Sequence, residues 1–256
     1  MKVAVCISGQ LRTGLRCLEN QAHFLRGLDA DFFLHTWSTN TNKRFPRDHE
    51  ETPVPRQVIK DYVSALKPKR WTFEDQHLNF RGGKDIAPVA LHYSWMKSVQ
   101  LKQEHERHTG VSYDAVIKIR PDLLLRPERN PASSILEKVY GKRKLIIENI
   151  PEWWKVMDWH DDVMWFGDNE TMNMATEYFQ QTYVERTNAE AFGFFADKRG
   201  VDVDGTYEFS YAVYRKECEH FDPMTQYEEC FECETHYTST ACTTLATPEE
   251  SPDYYS

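Results

Sequence analysis

The order of apolar and polar positions divides the chain into short buried runs and amphipathic stretches. Val3-Ala4-Val5-Cys6-Ile7 is an unbroken apolar run of strand length, the pattern of a strand covered on both faces. Thr13 stands where a helix N-cap belongs, and Leu15, Leu18, Ala22, Leu25 and Leu28 recur after it at helical spacing. Phe32-Phe33-Leu34 predicts a second strand. Pro55 opens a further helix with a stripe of Val58, Ile59, Tyr62, Val63 and Leu66, and Pro68 closes it. Arg70-Trp71-Thr72-Phe73 is a third strand. Pro88 opens the next helix, whose inner face carries Leu91, Trp95 and Val99 and whose end is marked by Gly110. Ala115 to Ile119 is the fourth strand.

Strands alternating with helices in this way predict an α/β fold with a mostly parallel central sheet flanked by helices. The second half is less regular. Lys144-Leu145-Ile146-Ile147 and Val163-Met164-Trp165-Phe166 look like strands, with the aromatic loop PEWWKVMDWHDD between them. Helices are predicted from about Asn169 to Tyr183 and from about Thr206 to Cys218. One domain over residues 1–221 is expected, with an α/β half (1–127) and a mixed half (128–221) that builds one side of a cleft. Residues 222–256 are rich in Thr, Ser, Glu and Cys, the composition of a disordered tail.

Composition narrows the function classes. The chain has 256 residues, 40% of them hydrophobic and 28% charged, as in ordinary globular proteins. A net charge of −9 speaks against broad binding to nucleic acid or to an anionic membrane. No run approaches the roughly 20 apolar residues of a membrane span. The first apolar run is too short for a signal peptide. The expected location is the cytoplasm. Of the six cysteines, Cys6 and Cys17 fall on buried positions, and Cys218, Cys230, Cys233 and Cys242 cluster late. Cys230 and Cys233 have zinc-knuckle spacing, but no matching second pair follows, so reduced thiols are expected.

Ligands of open parallel sheets bind beyond the carboxyl ends of the strands. That rule selects SGQLRTG (Ser8 to Gly14), HTWSTN after the second strand, EDQ after the third and RPD after the fourth. Backbone N–H groups of the first loop, with Arg12, suit a phosphate oxygen at a helix N-terminus; the plain alternative is a tight turn with a solvated arginine. Pro121 ends its strand for want of an N–H and delivers Asp122 to the sheet edge. There Asp122 can ligate a divalent cation and Arg120 can contact a phosphate. The plain alternative is an Arg-Asp pair tying down a turn. Trp153, Trp154 and Trp159 are dense around the later loop and suit stacking on sugar faces; Trp153 and Trp154 cannot both point inward in an extended segment.

VAVCISGQLRTG, LHYSWMKSVQLKQEHE, YDAVIKIRPDLLLRP and DDVMWFGDNETM occur in that order over about residues 1–217. As a set they resemble the small soluble GT-A-fold glycosyltransferases, including those of large DNA viruses, phages and microalgae. The resemblance implies a GT-A-like sheet, a nucleotide-diphosphate sugar as donor (held by residues 1–127) and a glycan or glycoside as acceptor. It implies a hexosyl- or pentosyltransferase acting in the cytoplasm, a host's if the protein is viral. Ser8, Gly9, Gln10 and Arg12 would lie against the nucleotide, with Tyr93, Ser94 and Lys97 near the donor. Asp161 or Asp162, with Asp162 favoured, would be the base of an inverting transfer, and Trp153, Trp154 and Trp159 the acceptor side. The family's Asp-x-Asp metal motif reads Arg120-Pro121-Asp122 here. Asp122 matches the second aspartate and is the expected ligand of Mn²⁺ or Mg²⁺; either this one carboxylate suffices, or Arg120 does part of the cation's work. Two rivals share the sheet: a sugar nucleotidyltransferase, which would want a glycine-richer first loop, and a glycan-binding protein that has lost catalysis.

Overall fold

The computed structural model of the protein describes residues 1–44, 48–75, 86–125, 132–148, 164–174, 176–177, 199–206 and 211–213. The first apolar run becomes β1 (Lys2–Gly9), and its alternate side chains enter two different cores. Val3, Val5 and Ile7 join α1 (Gly14–Phe24) on one face, with α2 (Arg56–Leu66) and α4 (Ala132–Val139). Ala4 and Cys6 pack with Trp95 and Val99 of α3 (Ile86–Thr109) on the other. A strand sandwiched this way has no solvated face, so its sequence is apolar from Val3 to Ile7 rather than alternating.

β1 pairs in parallel with β2 (Asp29–Trp37) on one side and with β6 (Ala115–Ile119) on the other. β5 (Arg70–Glu74) extends the sheet beyond β2. On the far side of β6 lie β9 (Trp165–Asp168), β8 (Lys144–Glu148) and β10 (Asp202–Thr206). β9 runs antiparallel to both neighbours, while β8 and β10 are parallel to each other. The seven-stranded order is β10-β8-β9-β6-β1-β2-β5. This is the mostly parallel, helix-flanked α/β sheet expected from the alternation, and strands of both halves of the chain share it.

On the α3 face, Trp95 and Trp165 meet edge to face with centroids 4.8 Å apart. The Lys118 ammonium lies 5.7 and 5.5 Å from their ring centroids. A lysine 2% exposed is tolerable there because two indole faces replace part of its lost hydration. Gly110 ends α3 at φ +72° and returns its N–H to the Glu106 carbonyl, the left-handed stop that glycine permits.

Several expectations need correction. Thr13 occupies the N-cap position of α1 but makes no side-chain cap hydrogen bond, and the helix stops at Phe24, short of Leu28. Its buried face carries Cys17, Asn20, Gln21 and Phe24, whereas Leu15 is 38% exposed and Ala22 is exposed. The apolar stripe misplaced this face because two of its inward residues are amides with backbone partners. A hairpin of β3 (Thr39–Arg44) and β4 (Asp48–Pro53) was not expected; apart from Pro53 its residues are polar and carry no apolar period. The helix predicted from Thr206 is instead the end of β10 followed by β11 (Tyr211–Val213), antiparallel to β7 (Leu123–Leu125). In β11 the larger Tyr211 and Val213 flank the small Ala212, a period of two that suits a strand.

The helix expected from Asn169 is present at residues 169–174 and 176–177. Lys102 anchors it to α3: its ammonium contacts Glu106 at 3.1 Å and hydrogen-bonds the Asn169 side chain.

Candidate functional site

From β1 the sheet continues to β2 and β5 on one side and to β6 on the other, so chain order reverses between β1 and β6. The crevice beyond the carboxyl ends of two such strands is where open α/β sheets bind ligands. β1 delivers Gly9 there, and β6 delivers Arg120.

The loop after β1 is folded tightly over Pro121. Gly9 adopts φ +126° and Arg12 φ +36°, the first open only to glycine and the second costly for arginine. A Cβ on Gly14 would meet Pro121 Cβ and Tyr62 Cε2 at 3.2 Å each, so glycine permits this close approach. Thr36 Oγ1 donates to the Gly9 carbonyl at 2.9 Å, and the Arg12 N–H donates to Asn40 Oδ1 at 3.2 Å.

Beneath the loop, Asp122 is 1% exposed. Arg120 grips it bidentately, with Nε 3.0 Å from Oδ1 and Nη2 2.8 Å from Oδ2. Arg12 Nη1 reaches Oδ2 at 3.2 Å, and its Nε donates to Gln10 Oε1 at 3.0 Å. The Arg-Asp pair tying down a turn is therefore present, joined by a second guanidinium from the first loop. The arginine side chains are 24% (Arg12) and 19% (Arg120) exposed. The carboxylate is buried, and the two arginine side chains that hold it are partly exposed.

This donor set does not fit the divalent cation expected at Asp122. Both carboxylate oxygens accept charge-assisted hydrogen bonds, and a dication at this buried carboxylate would sit beside two positive groups. Among the described residues there is no group of three or more His, Cys, Asp or Glu side chains arranged to hold a metal.

A second cluster closes the ends of β2 and β5. His35 Nδ1 is hydrogen-bonded to Ser94 Oγ at 2.7 Å. Its Nε2 lies 3.5 Å from Glu74 Oε1, an electrostatic approach rather than a formed hydrogen bond. Burial holds the imidazole below its ordinary 6.5. The neutral tautomer that suits both neighbours carries its proton on Nε2, toward the carboxylate. Glu74 is held down to about 2, first by His35 and then by the Tyr93 hydroxyl, which donates at 2.8 Å; Lys97 adds to this from 3.7 Å. Trp37 stacks on Tyr93 with centroids 5.7 Å apart.

The expected donor residues thus fall into two groups. Gly9, Gln10, Arg12, Arg120 and Asp122 come together around Pro121. Tyr93, Ser94 and Lys97 come together around Glu74, with Ser8 paired to His35 in the sheet register. Ser8 and Ser94 are fully buried, and neither side chain faces solvent. Asp161, Asp162, Trp153, Trp154 and Trp159 lie outside the described residues, as do the four late cysteines and the tail. Sequence reasoning missed His35, Glu74 and Asn40 as individuals, although the sheet-edge rule had selected the segments that contain all three. A cavity of about 310 Å³ lies elsewhere, between α1 and α2, lined by Ile7, Leu18, Leu25, Phe32 and Leu66 among others. Its apolar walls are unlike the charged crevice at the sheet edge.

No protein-family model matches the chain, and no curated protein matches it. Among solved structures it is similar to the galactosyltransferase LgtC in complex with donor and acceptor sugar analogues: 11% identity, TM-score 0.39, 79% of this chain and 73% of that one covered. It is also similar to 4-diphosphocytidyl-2C-methyl-D-erythritol synthase from Anaerococcus prevotii (11%, 0.43, 88% and 96%). A third is mouse xyloside xylosyltransferase 1 in its apo form (11%, 0.37, 80% and 84%). These likenesses are distant.

Proposed function

We propose that the protein is a nucleotide-sugar-dependent glycosyltransferase of GT-A type, moving a hexosyl or pentosyl group from a nucleoside-diphosphate sugar to a glycan or glycoside. The observation that carries this is the pair of partly exposed arginines, Arg12 and Arg120, bound to the buried Asp122 at the switch point between β1 and β6. Fixed, partly shielded cations at that place suit a diphosphate, and planar guanidinium forks match phosphate oxygens.

Gly9, Gln10 and Arg12 then line the diphosphate from one side and Arg120 from the other. Tyr93 and Lys97, with Trp37 stacked on Tyr93, are assigned to the rest of the donor, and buried Ser94 supports them through its hydrogen bond to His35, while Ser8 is a buried neighbour in the sheet. The base is Asp162, with Asp161 as its neighbour; supporting this, β9 begins with Trp165 paired to Lys118, at the edge where β6 delivers Arg120. In an inverting transfer the acceptor oxygen attacks the anomeric carbon from the face opposite the diphosphate, and the carboxylate takes its proton. Trp153, Trp154 and Trp159 are assigned to the acceptor.

The test is incubation of the full chain with a panel of nucleotide sugars and simple glycosides, with and without Mn²⁺. Release of a nucleoside diphosphate with formation of a glycoside supports the transferase. Release of pyrophosphate from a sugar phosphate and a nucleoside triphosphate would identify a nucleotidyltransferase instead. The engagement of Asp122 by two arginines favours one second reading, a nucleotide-sugar-binding protein without catalysis. It is distinguished by thermal stabilisation with a donor and no turnover of any donor with any acceptor.

A further inference from the structure

Resting on that reading, we propose that the donor's diphosphate is held and neutralised by guanidinium groups alone, Arg12 and Arg120 doing the work that a divalent cation does in Asp-x-Asp enzymes. Each feature of the crevice favours this arrangement over a metal. Asp122, the one carboxylate retained from the motif, is 1% exposed and has each oxygen within 2.8 to 3.2 Å of a guanidinium nitrogen. Its role is to orient the two cations and not to present oxygens to a third. The arginine side chains, 24% and 19% exposed, are the more accessible members of the cluster.

Both guanidiniums are held before any ligand arrives. Arg12 is fixed at positive φ, its N–H bonded to Asn40 and its Nε to Gln10. Arg120 is held through its own carbonyl, which accepts from Gln21 Nε2 at 3.1 Å, and by Pro121 immediately after it. Such preorganisation removes the cost of reorienting dipoles and charges when the reaction begins. In the transfer, the acceptor oxygen bonds to the anomeric carbon as the bond from that carbon to the β-phosphate oxygen breaks. The electron pair stays on that oxygen, which departs as part of the nucleoside diphosphate, and the hydroxyl proton goes to the carboxylate base. The negative charge gathering on the diphosphate is met by Arg12 and Arg120, and no metal enters the balance.

Calorimetric titration of the full chain with UDP, GDP and ADP, in EDTA and in MnCl₂, tests the proposal. At least one diphosphate is expected to bind with dissociation constants equal within about twofold in the two conditions. The double variant Arg120→Gln/Asp122→Asn, which removes the Arg120 guanidinium together with the buried carboxylate that it and Arg12 share, is expected to weaken binding in EDTA by about tenfold or more. Arg12→Lys, which keeps the charge and loses the fork, serves as a second variant should the first fold poorly. Binding that requires Mn²⁺ would overturn the inference and leave the transferase reading standing. Metal-free binding unchanged in both variants would place the diphosphate elsewhere and overturn both. No binding of any diphosphate in either condition would overturn the transferase reading, and the inference with it.

Discussion

Asn20 and Leu125, 105 residues apart, exchange two hydrogen bonds: the side-chain amide donates to the Leu125 carbonyl at 2.9 Å and accepts from its N–H at 2.7 Å. The next residue, Gln21, has its Nε2 within 3.0 to 3.1 Å of the carbonyls of Arg120, Pro121 and Leu123, its two N–H groups shared among the three. Together the two amides hold the corner between β6 and β7, where the chain leaves the ladder to place Arg120 and Asp122. Helix α1 is the backing of the candidate site, and its polar inner face is the means.

Removing this backing should therefore cost stability. Asn20→Ala leaves a buried N–H and a buried carbonyl without partners, an expected loss of about 2–4 kcal/mol. For a chain of this size that lowers Tm by roughly 5–15 °C, readable by circular dichroism. A loss below about 1 kcal/mol would mean that the corner is held by packing alone.

Gly14→Ala tests the seating of the first loop. Its Cβ would press on Pro121 and on the Tyr62 ring at 3.2 Å, with an expected cost of about 1–3 kcal/mol as the loop shifts off the proline. The shift moves Arg12, so nucleoside diphosphate binding should weaken as well. Gly27→Ala is the control. Its φ is +85° but its surroundings are open, so it should cost about 1 kcal/mol in backbone strain and leave diphosphate binding unchanged. Equal effects of the two substitutions on binding would contradict the seating.

Acid should destabilise the protein in two windows. His35 is held below 6.5 by burial, so the unfolded chain binds its proton more readily and stability falls as pH drops below about 6.5. Glu74 is held from 4.5 down to about 2. Its contribution is fully present above 4.5 and is lost as pH falls through that interval toward the folded value. The groups facing His35 are Glu74, Lys97, Tyr93 and Ser94. Urea denaturation between pH 7.5 and 3 should show stability rising with pH throughout, with Glu74→Gln flattening the lower window and His35→Gln the upper. A profile unchanged by either substitution would contradict the assignment.

The sheet was legible in the sequence because β1 and β6 are buried on both faces and therefore mostly apolar, unbroken from Val3 to Ile7 and interrupted in β6 only by Lys118. The break at Pro121 was legible too, since a residue without an N–H marks a strand end whatever surrounds it. What escaped were features held by polar contacts: the inward Asn20 and Gln21, the largely polar β3–β4 hairpin, and His35, a titratable residue buried within a strand. Hydrophobic periodicity registers none of these. The partnership of Arg12 with Asp122 spans 110 residues, and no local pattern carries it. The arginine in place of a first aspartate looked like a departure from the motif; in the structure it is half of a two-guanidinium clamp.

The most direct measurement is a crystal structure of the full chain with the nucleoside diphosphate that it binds most tightly. Phosphate oxygens are expected about 3 Å from guanidinium nitrogens of both Arg12 and Arg120, in the crevice beyond β1 and β6. A diphosphate seated anywhere else, with those two arginines untouched, would contradict the account.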